Sequence, residues 1–127
     1  MKTSLVTPYI FAALLVILAA NGGLTVLLGA HPFWSVSIAW VGVPIGLIAA
    51  LTVKSLDWRW SPRIVLFAVL LGLAYLTASL GKERFAASFA EDAFAGRLWY
   101  FGWIAVAASA TALISALFSP TKTHPDP

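Results

Sequence analysis

The four longest apolar runs of this chain contain no Asp, Glu, Lys or Arg, and that absence narrows its folding options more than any other feature. The runs cover residues 5–30, 35–53, 64–80 and 98–118. All eight basic and all five acidic residues lie at their ends or in the segments between them. A helix needs about 20 predominantly apolar residues to cross the hydrocarbon core of a bilayer, and each run is of that order. An ionisable side chain at bilayer depth usually marks an ion, proton or substrate path, and here that marker is missing.

Composition supports a membrane reading. Hydrophobic residues make up 61% of the 127 residues and charged residues 10%, against roughly 45–50% and 25% in soluble domains. A soluble domain this small buries too little of its surface to hide so much apolar area. The runs lack the polar–apolar alternation of barrel strands, so helices are the expected element. We therefore expect an all-α, polytopic four-transmembrane-helix bundle over residues 1–118, with a disordered tail over 119–127. The first run begins after the basic Lys2, as a signal peptide would. It continues past Asn21-Gly22-Gly23, however, which is too long for a signal core, and we read it as an uncleaved span.

Basic residues set the orientation. With the N-terminus inside, Lys2, Lys54, Arg59, Arg63 and Lys122 face the cytoplasm. Lys82, Arg84 and Arg97 then lie outside, beside Glu83, Glu91 and Asp92. The bias favours both termini on the cytoplasmic side of a cell inner membrane. Phe33, Trp34, Trp58, Trp60, Trp99, Tyr100, Phe101 and Trp103 flank the runs, as interfacial anchors do. A tryptophan-lined binding site is the sharper alternative.

Helices in lipid associate through close packing of small residues. Gly42, Gly46 and Ala50 recur at one-turn spacing in the second run, with Pro44 placed to kink it. The fourth run carries Ala105, Ala108, Ser109, Ala112, Ser115 and Ala116, and the third offers Ala68 and Gly72. These faces serve either packing within the bundle or docking of another subunit. Asn21-Gly22-Gly23 is the one flexible interruption inside a run. It reads as a broken helix lining a solute path together with Tyr75 and Thr77, or as close packing in which Asn21 bonds across to Tyr75, Thr77 or Ser79.

The connection over residues 81–97 suits a short helix lying on the outer membrane surface, with Phe85 and Phe89 on one face. His31, Glu91 and Asp92 fall on this outer side, as a possible cation or proton site or simply as solvated charges. No nucleophile elbow, zinc motif, phosphate loop or dinucleotide fingerprint occurs. Cys is absent, and neither His lies deep within a run, so thiolate and haem ligation have no residues to use. No cofactor is expected. Eight scattered basic residues form no nucleic-acid patch. The leading expectation is a non-catalytic membrane subunit or assembly partner, with lipid and other membrane subunits or its own copies as partners. The alternative is an oligomeric transporter or channel for a neutral or lipophilic solute.

Overall fold

The computed structural model describes the backbone of residues 3–119 and the side chains of residues 5–119. All regular structure among these residues is helical. The helices are α1 (Thr3–Asn21), α2 (Leu24–Leu27), α3 (Ser37–Ser55), α4 (Trp60–Ala87) and α5 (Ala93–Leu117). Three of them, α3, α4 and α5, are long and apolar enough to span a membrane. At 1.5 Å per residue they measure about 28, 42 and 37 Å, against a hydrocarbon core of about 30 Å. Residues 120–127, most of the expected tail, lie outside the described residues, as does Lys2.

The outer surface is as apolar as the interior. Leu14, Leu18, Ile48, Leu51, Val65, Val69, Leu73 and Leu76 all point outward. The buried positions are mostly small: Ala12, Ala20, Ala39, Ala78, Ala107, Ala112 and Ala116. In lipid, outward-facing leucines cost nothing, and small inward residues let backbones approach.

Helix α5 is the hub. It packs along α4 on one flank and against α3 and α1 on others, while α4 makes no comparable contact with α3 or α1. The arrangement is therefore not a ring of four mutually adjacent helices. Gly42 and Gly46 explain how close α3 comes. A methyl group on Gly42 would stand 2.6 Å from Ala107 Cβ and 2.7 Å from Ile104 O, and one on Gly46 would collide with the Ala108 carbonyl. From the α5 side, a methyl on Gly102 would stand 2.8 Å from Ala78 of α4. By contrast, a methyl on Gly72 would meet nothing within 4 Å, so this glycine belongs to no contact. Helix α3 runs through Pro44 without interruption.

Two sequence expectations change here. The segment 81–97 forms no separate surface helix. Helix α4 continues through Gly81 to Ala87, held because Gly81 lies tightly against Ala95 and Trp99 of α5. The chain then reverses through Phe89 and Ala90, at φ 58° and 68°. The amide of Ala90 donates to Phe85 O at 3.0 Å and that of Phe89 to Ala86 O at 3.1 Å, which closes the helix in a Schellman pattern. Phe89 thus leaves the helix and shares no face with Phe85. The first run is also not one helix, since α1 stops at Asn21 and only the single turn α2 follows.

Thermal unfolding in detergent should separate two otherwise identical substitutions. Gly46→Ala is expected to lower stability by about 1–3 kcal/mol through overpacking against α5. Gly72→Ala should raise it by up to about 1 kcal/mol, since alanine is the better helix former.

Candidate functional site

Beside the hub, α3 and α4 stand apart and leave a cleft of about 610 Å³ along α5. On α5 its lining includes the large Leu98, Phe101 and Ile104 as well as the small Ala105, Ala108, Ser109 and Ala112. Ile45 and Ala49 of α3 form one wall, and Phe67, Leu70, Leu73, Ala74 and Thr77 of α4 form the other. The lining is almost wholly apolar. Of its two hydroxyls, at Thr77 and Ser109, that of Thr77 donates to Leu73 O of the same helix at 2.9 Å, one turn back. Of the expected packing residues, Ala50 and Ala116 are buried in the core at one end of the bundle, while Ala108 and Ala112 also border this cleft.

A second constellation gathers at the C-terminal end of α5. The indole of Trp60 donates to Ala116 O at 2.8 Å, Arg63 Nη2 to Ser119 O at 2.7 Å, and Lys54 Nζ to Ser119 Oγ at 2.9 Å. Tyr9 OH lies 3.5 Å from the same Oγ. The last turn of a helix has carbonyls without intrahelical donors and the negative end of the macrodipole, so donors and cations collect there. Arg63, read from sequence as a loop charge, is only 2% exposed. Its Nε is buried and has no hydrogen-bond partner among the described residues. Ser119, assigned by sequence to the tail, is buried as well. A polar residue just after an apolar run reads as tail, and nothing in the local pattern reveals that four side chains from three helices converge on that end.

The opposite end of the bundle is aromatic. Trp34 and Trp99 meet edge to face with centroids 5.3 Å apart, and Tyr100 and His31 pack on the same rings. Trp99 Nε1 donates to Gly29 O at 2.9 Å, which ties α5 to the turn after α2. Trp103 is 2% exposed, so it is a core residue and not an interfacial anchor. His31 Nδ1 accepts the Phe33 amide at 2.9 Å. Asp92 caps α5 by accepting from the Ala95 amide at 3.0 Å, and Glu91 is exposed. Among the described residues, no group of three His, Asp or Glu side chains could hold a metal ion.

Asn21 turns back on its own helix, donating to Ile17 O at 2.9 Å, and does not reach Tyr75, Thr77 or Ser79. Tyr75 OH donates to Leu28 O at 2.8 Å, bridging α4 to the end of α2. Gly22 and Gly23 are not packed against another helix. Gly23 sits at φ 94°, with open space where a side chain would be, and ends α1. Its value is conformational.

Comparisons with protein-family models, with curated proteins and with solved structures find no match for this chain.

Gly23→Ala should therefore cost about 1–2 kcal/mol of stability, the penalty of a left-handed alanine. Gly22→Ala, whose methyl would stand 3.3 Å from Leu18 O, should cost less. Melting temperatures of the two single variants in one detergent check the order.

Proposed function

We propose that this protein is a non-catalytic subunit or assembly partner of a membrane complex, and that the cleft between α3 and α4 receives a transmembrane helix. One observation carries the proposal: between α3 and α4 the cleft reaches a run of small residues on α5, Ala105, Ala108 and Ser109, that no helix of the chain covers fully. Small residues in lipid permit a partner backbone to approach closely, which is the main source of helix association there. Its apolar walls present nothing that would bind a polar solute. The transporter reading draws less support, because the Asn21 side-chain nitrogen and the Thr77 hydroxyl both bond within their own helices.

In this reading the chain crosses a cell inner membrane four times, with both termini cytoplasmic. Helix α1 supports the fourth span. Its Phe11 meets Phe118 at the end of α5, with ring centroids 5.2 Å apart. Val16 and Ala20 pack near the opposite end, with Ile38, Ala39 and Trp103. It thus runs the depth of the bundle. The retained Lys and Arg bias supplies the orientation.

The chain has no native Cys, so labelling is free of background. A Cys at Ser88 should react with an impermeant thiol reagent in intact cells and one at Ser55 should not; the reverse pattern would invert the orientation. A photo-crosslinking residue at Ala105 should capture one defined polypeptide in the native membrane. Filling the cleft with Ala108→Leu should abolish capture by a probe at Ala105 without unfolding the protein. Crosslinks to lipid alone would defeat the subunit reading.

A further inference from the structure

The α5 C-terminal end holds more positive charge than the described residues neutralise. Lys54, Arg59 and Arg63 lie within the end of α3, the short connection and the first turn of α4. No ion pair joins them to Asp57, the acid of that connection, or to any other described residue. The partial negative charge of a helix end offsets roughly half an elementary charge. A buried guanidinium whose Nε is unpartnered, and whose Nη2 meets only the Ser119 carbonyl, carries a large desolvation cost that a nearby anion would offset. Arg59 precedes Arg63 by one turn and is exposed, which gives an approaching anion a cation to meet first.

Next to these cations is an apolar recess of about 380 Å³ lined by Thr7, Pro8, Phe11 and Phe118. Phe118 directly precedes Ser119, the residue that Lys54 and Arg63 both hold. Positive charge beside an apolar recess, at the level where the long helices end, is complementary to an amphiphile with an anionic head. We propose that this end of the protein binds the phosphate of an anionic phospholipid through Arg59 and Lys54, with the buried charge of Arg63 behind them and an acyl chain in the Phe11–Phe118 recess. Arginine suits the head group because its planar fork matches phosphate oxygens in a bidentate geometry. The proposal requires neither a partner helix in the cleft nor a particular orientation.

The test uses the full chain in neutral detergent, titrated with phosphatidylglycerol or phosphatidylcholine in mixed micelles, with bound lipid counted by native mass spectrometry. Phosphatidylglycerol should bind more tightly than phosphatidylcholine. Arg59→Gln and Lys54→Gln should each weaken it about fivefold, the contribution of one basic residue near a charged lipid surface. Arg59 is exposed, so its variant should fold whether or not Lys54→Gln does. Lys82→Gln and Arg84→Gln, near the other end of α4, should leave the affinity unchanged. Equal affinity for both lipids, or an undiminished preference in Arg59→Gln, overturns the proposal. So does displacement of the lipid by inorganic phosphate at matched ionic strength and micromolar concentration, which would make free phosphate the ligand.

Discussion

The close approach of α5 to its neighbours is the constraint on which the rest of the structure depends. Lipid tails are as apolar as leucine, so burying leucines between helices gains little over leaving them outside. Cohesion must come from dispersion contacts and interhelical hydrogen bonds, and both fall steeply with distance. Gly42 and Gly46 on α3, Gly81 on α4 and Gly102 on α5 remove the side chains that would keep the backbones apart. The hub is α5 because its small residues point in several directions, toward α3, α4 and the open cleft.

The second constraint is polar satisfaction away from water. Thr111 and Ser115 are fully buried, and their hydroxyls return to Ala107 O and Thr111 O of the same helix, each at 2.8 Å. Such groups need no partner helix and leave the apolar interior uniform. At the helix ends, where carbonyls lack donors, the fold recruits side chains from afar: Trp60, Lys54 and Arg63 at one end of α5, and Tyr75 and Trp99 onto the turn after α2 at the other. The acceptors of these bonds lie at helix ends or in the turn after α2, although Tyr75 donates from the middle of α4.

Much of the candidate site was readable before the structure, but unevenly. The small residues of the fourth run announce a packing face through their spacing. Whether that face is covered depends on which parts of α5 meet α3 and α4, which one-turn spacing does not encode. The cation cluster was less legible. Lys54, Arg59 and Arg63 look like ordinary cytoplasmic loop charges, and only the return of α5 to that end brings Ser119 between Lys54 and Arg63. Asn21-Gly22-Gly23 read either as a broken helix or as close packing, and the structure has a helix break there. Its physical cause, a left-handed glycine ending α1, was hidden because a packing glycine and a capping glycine are identical in sequence.

By itself, the sequence determined the helical class, the long apolar character of the spans and the places where the chain must turn. These follow from local composition, since backbone polar groups in an apolar run can be satisfied only within a helix. It did not determine where α4 ends, because the charges of residues 82–84 look like a loop, whereas contact with α5 keeps them helical. Only the tertiary structure decided that α5 is the hub, that α3 and α4 part to leave a cleft, and that Arg63 is buried. Those outcomes rest on contacts between residues far apart in the chain, and on which small side chains happen to meet.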